Sequence, residues 1–182
     1  MIIDVHTHYL PTSYRPMLGT LTAMSGTPTA PAANSPSEAR QMFAAMSDEP
    51  GMINQRIDMM DDAGVGRQIL SAGSLAPYAT ESHLAVEAAH LLNDSYCELT
   101  NSHPNRFSSF VSLPLPHIDA SLDEMRRGLD ELGMVGVAFS CSVFNRSMAE
   151  AEFEPLYAEM NARGTTLFFH PCQKRHLFTI HQ

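Results

Sequence analysis

The sequence predicts a parallel α/β fold, a (β/α) barrel or a doubly wound sheet, and three observations point to it. Short apolar runs alternate with segments of helical period along the chain. Those runs are continuously apolar rather than alternating in polarity, as parallel strands covered on both faces require. The first run ends in His6-Thr7-His8-Tyr9, where a dinucleotide-binding sheet needs a glycine-rich turn.

Taken in order, Ile2-Ile3-Asp4-Val5-His6 reads as the first strand, delivering histidines to its C-terminal end. Residues from about 10 to 36 carry Pro11, Pro16, Gly19, Gly26, Pro28, Pro31 and Pro36, which predicts a long loop or lid. Helical spacing begins at Ser37 and runs through Phe43 and Met46, then from Met52 through Ile53, Ile57 and Met60 to a stop at Gly64. The run Gln68-Ile69-Leu70-Ser71 is the second strand. A helix from about Glu81 to Ser102 follows, with Leu84, Ala88, Leu91 and Leu92 near helical spacing. The stretch Arg106 to Leu113 predicts a third strand, and Asp119 to Leu132 a helix capped by Gly133. Val135 to Phe139 is the fourth strand, Ala151 to Ala162 a helix capped by Gly164, and Thr165 to His170 the fifth strand.

Composition narrows the function classes. The 182 residues suffice for one domain with a real core. A net charge of -9 argues against nucleic-acid binding, since Lys174-Arg175-His176 is the one basic cluster. Three cysteines, Cys97, Cys141 and Cys172, share no short spacing, so neither a disulfide framework nor a cysteine-rich zinc site is indicated. No signal peptide or membrane span is read at Met1 or later, and a cytoplasmic location is expected.

The chemistry concentrates on histidine. His6 and His8 stand one residue apart on a strand, so both imidazoles leave the same face and can close on one ion. His170 ends the fifth strand just before Pro171, at the end where a parallel barrel collects its functional groups. Three imidazoles at about 2.0–2.1 Å suit zinc, with a further position open to water or substrate. His83, His90, His103, His117, His176 and His181 read as solvated, turn or tail residues, and the methionines as packing. A flavodoxin-like sheet of five strands remains the structural alternative at this point.

The run Ile3 to Pro11, then Met60-Asp61-Asp62-Ala63-Gly64-Val65 leading into Leu70-Ser71, resembles the opening of the amidohydrolase-2 family, of the aminocarboxymuconate-semialdehyde decarboxylase kind. Leu113-Pro114, Ala120, Glu124, Arg127, Leu132-Gly133, Gly136-Val137 and Phe169-His170-Pro171 continue it in order. The resemblance implies a TIM-type (β/α)8 barrel, truncated to about its first five β/α units. A partial barrel domain over residues 1–173 and an atypical tail over 174–182 are expected. The resemblance makes His6, His8 and His170 ligands of a divalent metal, most plainly zinc, with Asp4 behind them or in the barrel core. It also implies a histidine after the sixth strand and an aspartate after the eighth, which this chain does not reach.

The expected activity is that of a metal-dependent decarboxylase of a small aromatic or enoic carboxylate, impaired in this chain. Hydrolysis of a lactone or amide is the enzymatic alternative, and a non-catalytic fragment or subunit-binding module the alternative of another class. The expected partners are a small carboxylate substrate and a second copy meeting open sheet edges, with neither nucleic acid nor membrane among them.

Overall fold

The computed structural model describes residues 1–25 and 35–171. Strand β1 (Ile2–His8) leads through a 3-10 turn at Thr12–Tyr14 to α1 (Arg15–Ser25), followed by α2 (Pro36–Ala45), α3 (Met52–Asp62) and β2 (Val65–Ser71). A second 3-10 turn, Gly73–Leu75, precedes α4 (Ser82–Ser102), β3 (Phe107–Ser109), β4 (Val111–Ser112), α5 (Ile118–Arg126) and a π turn at Arg127–Glu131. Then come β5 (Gly136–Ser140), the short hairpin β6 (Ser142–Val143) and β7 (Arg146–Ser147), α6 (Glu154–Arg163) and β8 (Thr166–His170).

Strand neighbours follow chain order, β1-β2-β3 in one ladder and β4-β5-β8 in the next, and every pairing within both ladders is parallel. A doubly wound sheet reverses direction from its first strand, so this sequential winding removes the flavodoxin-like alternative and is that of a (β/α) barrel. The expected third strand is one extended segment shared between neighbours. Its first half pairs with β2 and its second with β5. Between them the Phe110 N–H donates to the Leu70 carbonyl at 3.0 Å, and its ring stacks on Phe168 at 5.4 Å. The stagger of a tilted, closing sheet requires such a handover.

The long loop expected at about 10–36 is corrected by α1, which occupies Arg15–Ser25. Pro16 sits at the second helical position, where a missing N–H breaks no helical bond. Gly19 and Thr20 are weak helix formers, so burial stabilises this segment: Leu21 and Tyr14 are 3% and 0% exposed, and the Tyr14 hydroxyl donates to the Leu75 carbonyl at 2.9 Å. Residues 26–34 of that loop, and the tail from 172, lie outside the described residues. Helix α2 starts where Ser35 Oγ accepts from the Glu38 N–H at 3.2 Å, a side-chain cap placed by the Ser-Pro-Ser-Glu sequence. Gly133 and Gly164 end their helices at φ +69° and +64°, as read from the sequence.

The core lies between the sheet and α4 and α5, around Leu70, Leu92, Tyr96, Phe107, Val111, Met125 and Val137. One buried ionic group ties it together. Glu124, 2% exposed, accepts from Arg127 Nε and Nη2, both at 2.8 Å, and from Asn93 Nδ2 at 2.6 Å. His90, expected to be solvated, reaches the same carboxylate at 3.0 Å. Asn93 in turn takes both backbone groups of Ser112, at 2.9 Å each, standing in for a strand partner at the end of β4. No helix among the described residues is long and apolar enough to cross a membrane.

Removing Glu124 takes one acceptor from Asn93 and two hydrogen bonds from Arg127, which keeps its pairing with Asp94 at 2.6 Å. Glu124→Ala is expected to cost about 2–3 kcal/mol in urea unfolding, the loss of buried hydrogen bonds to a charged group. Asp123→Ala next door, where the side chain is 79% exposed, should stay within about 0.5 kcal/mol.

Candidate functional site

Parallel strands present their C-terminal ends on one side, and there β1 brings His6 and His8 against His170 of β8. The imidazole centroids are 5.2 Å apart for His6 and His8, 5.1 Å for His6 and His170, and 5.0 Å for His8 and His170. One nitrogen from each ring lies within 4.8 Å of the others. The structure therefore brings together all three histidines singled out in the sequence.

Asp4 does not join them. Its Oδ1 accepts the His6 backbone N–H at 3.1 Å and its Oδ2 accepts Gln68 Nε2 at 3.2 Å, so it supports the strand rather than a ring. Cys141 is exposed and lies by the His170 carbonyl at 3.4 Å, while Cys172 falls outside the described residues.

His8 Nε2 and His170 Nε2 stand 3.3 Å apart. That is long for a hydrogen bond between neutral imidazoles. It equals the edge of a tetrahedron, about 3.3–3.4 Å, made by two nitrogens about 2.0–2.1 Å from one ion. The other nitrogen of His8 faces Ser71 Oγ at 3.4 Å, and Nδ1 of His170 is buried with no well-formed hydrogen bond. Gly73 completes the seat. A Cβ there would stand 2.3 Å from His8 Cε1, and the residue adopts φ +60°, so glycine is required on both counts.

Burial, reinforced by His170 and His6, pushes the His8 pKa down to about 4. Burial followed by His6 lowers His170, against a small opposite effect of the Pro171 carbonyl. Both rings are neutral at pH 7 and present lone pairs, the state in which imidazole binds metal.

Beside His170 is a cavity of about 10 Å³, lined by Ser71, Gly73, Ala76, Ser112 and Ala138 among others. It has room for one water-sized group. A larger groove of about 510 Å³ lies between Tyr9, Glu49, Ile53, Glu98 and His103. Two of its acidic groups are already engaged, Asp48 by the Thr12 N–H at 2.8 Å and Glu49 by Arg15 at 2.7 Å.

Sequence reasoning missed Arg56, Gln68, Ser71 and Gly73. A signal existed for Arg56, a cation standing on the apolar stripe Ile53, Ile57, Met60 of α3. Gly73 is simply a glycine following an apolar run and carries no such signal.

The chain belongs to the amidohydrolase family, whose model matches residues 3–181. Among curated proteins the chain is similar to 2-amino-3-carboxymuconate-6-semialdehyde decarboxylase of Dictyostelium discoideum, 28% identical over 119 residues, 65% of this chain and 33% of that protein. It is also similar to gamma-resorcylate decarboxylase of Rhodococcus jostii (strain RHA1), 31% identical over 64% of this chain and 38% of that protein. The chain thus spans little more than a third of the length of these relatives. In fold it matches 5-carboxyvanillate decarboxylase of Novosphingobium aromaticivorans, solved with bound manganese and 3-methoxy-4-hydroxy-5-nitrobenzoic acid. The TM-score is 0.79 at 24% identity, over 96% of this chain and 51% of that one.

The lowered histidine pKa values fix a pH dependence. In the unfolded chain these rings take up protons near pH 6.5, whereas the folded chain resists until His8 titrates near pH 4. The unfolded state therefore binds more protons in this window, and stability falls as pH falls from about 6.5 to about 4. The urea midpoint of the metal-free chain is expected to drop between pH 7 and pH 5, and to drop less in His8→Gln.

Proposed function

We propose that His6, His8 and His170 hold one divalent cation, and that this centre belongs to a decarboxylase of a small aromatic or enoic carboxylate. The observation that supports this reading is the convergence of three imidazoles, two of them 3.3 Å apart at Nε2, at the strand ends of an amidohydrolase-family chain. The chain's own residues fit such an ion in charge state and spacing. His8 and His170 are kept neutral by burial, and Gly73 leaves the His8 ring free to lie across the strand ends.

Bound there, the cation would act as a Lewis acid toward the substrate's oxygens and offset its negative charge. His8 is held by Ser71 and Gly73, and the small side chains of Ala76, Ser112 and Ala138 leave space beside His170. Three imidazoles favour zinc, although manganese accompanies the carboxyvanillate decarboxylase structure. Decarboxylation is preferred to lactone or amide hydrolysis because both curated relatives are decarboxylases.

The 182-residue chain by itself is proposed to be a weak catalyst. Three imidazoles bring no anionic ligand, and His170 is the one titratable side chain among the described residues lining the cavity. A missing proton-transfer group commonly costs about 10²–10⁴-fold in rate.

Isothermal titration is expected to show one Zn²⁺ per chain, with affinity falling more than about tenfold in His6→Ala and in His170→Ala. Carbon dioxide release from dihydroxybenzoates should be slow and absent in His6→Ala. Zinc uptake unchanged in both variants would contradict the site.

A second reading rests on the sheet edges. Ile2, Ile3 and Val5 of β1 are 57%, 45% and 45% exposed, and Phe169 of β8 is 44% exposed, on the two outermost strands of the winding. Such edges pair with other strands, and we propose that two copies associate through them. Size-exclusion chromatography with light scattering is expected to show an assembly that Ile3→Lys with Val5→Lys reduces to monomer. A monomeric unsubstituted chain overturns this reading.

A further inference from the structure

Strand β1 advances three residues, Asp4 to Thr7, while its partner β2 advances two, Gln68 to Leu70. The extra residue is a bulge at Val5 and His6, and a bulge leaves backbone groups without ladder partners. Side chains hold the backbone within the bulge and just past it. The His6 N–H donates to Asp4 Oδ1 at 3.1 Å, and the His8 carbonyl accepts from Arg56 Nη2 at 2.7 Å.

Arg56 is an unusual occupant of its position. It faces the sheet from α3, and among the described residues no carboxylate lies within ion-pairing distance of it. It donates instead to neutral acceptors: the His8 and Ala45 carbonyls at 2.7 and 3.2 Å, Thr7 Oγ1 at 3.3 Å and Gln68 Oε1 at 3.3 Å. Gln68 closes the circuit, its Nε2 donating to Asp4 Oδ2 at 3.2 Å. The orientation of that amide is dictated by chemistry, because a guanidinium can only donate and a carboxylate can only accept. Gln68 thus transmits a single polarity from a cation on α3 to an anion on β1.

We infer that Arg56, Gln68 and Asp4 form one hydrogen-bonded relay that fixes the bulged backbone of β1 and so positions His6 and His8. The relay touches neither imidazole. It holds the backbone N–H of the first histidine and the carbonyl of the second, so the spacing of the two rings is set from behind the strand. This inference rests on the reading of the histidines as a metal site, and it extends that site to three positioning residues on β1, β2 and α3.

The test uses the full 182-residue chain with Gln68→Leu, Arg56→Met, Arg56→Lys and the Gln68→Leu, Arg56→Met pair, with His6→Ala as control. Amide hydrogen exchange is measured without metal, and Mn²⁺ affinity by equilibrium dialysis. Gln68→Leu should speed exchange of the His6 amide about tenfold, as expected for loosening a hydrogen bond to a charged group, with Val137 of β5 unaffected. It should also weaken Mn²⁺ binding about tenfold, the usual effect of disturbing groups behind metal ligands. Arg56→Lys should recover part of what Arg56→Met loses, and the double variant should lose no more than the worse single one, because the members act as one unit. His6 exchange and Mn²⁺ affinity both unchanged in Gln68→Leu overturns the relay, as does strict additivity in the pair. Should Arg56→Met fail to fold, the partly exposed Gln68→Leu decides alone. If the unsubstituted chain binds Mn²⁺ no better than His6→Ala, the metal reading fails, while His6 exchange still decides the relay.

Discussion

Parallel pairing between strands that follow one another in sequence is the constraint on which everything else in this molecule depends. Every strand in such a winding ends on the same side, so residues remote in the chain meet there without any long-range design of loops. His8 and His170 are 162 positions apart, yet their Nε2 atoms lie 3.3 Å from each other. The histidines need only stand last on their strands. The same winding explains why the third strand divides between two neighbours at Phe110, since a closing sheet must shear as it turns.

Local rules are broken where the histidines sit, and the breaks converge on a few residues. A bulge interrupts β1 between Asp4 and Thr7, Gly73 takes a positive φ against the His8 ring, Arg56 is sunk among neutral acceptors, and Nδ1 of His170 is buried without a well-formed hydrogen bond. Each carries a cost that packing elsewhere must offset, and such clustering is what a functional site leaves in a fold. The Glu124 group shows the contrast. It is equally buried and ionic, but every acceptor is answered and it ties α4, α5 and β4 into a scaffold.

Much of this was legible in the sequence because it depends on period and punctuation. Gly133 and Gly164 end helices as glycine must, and His6, His8 and His170 fall at strand ends because apolar runs stop there. Helix α1 was not legible, since Pro16, Gly19 and Thr20 argue against a helix locally and burial of Tyr14 and Leu21 overrides them. The division at Phe110 reflects sheet curvature, which no local pattern encodes. Asp4 was noticed for its nearness to the histidines, but its partners, the His6 backbone and Gln68, follow from a bulge that leaves no mark in composition. The identity of the ion likewise lies beyond residue type, because imidazole accepts several metals.

Three imidazoles from β1 and β8 are proposed to share one ion, and X-ray absorption on the chain loaded with one equivalent of Zn²⁺ would see them. About three imidazole nitrogens are expected at roughly 2.0–2.1 Å, with the multiple scattering of the ring carbons. A shell of oxygens alone, or a single imidazole per ion, would contradict it.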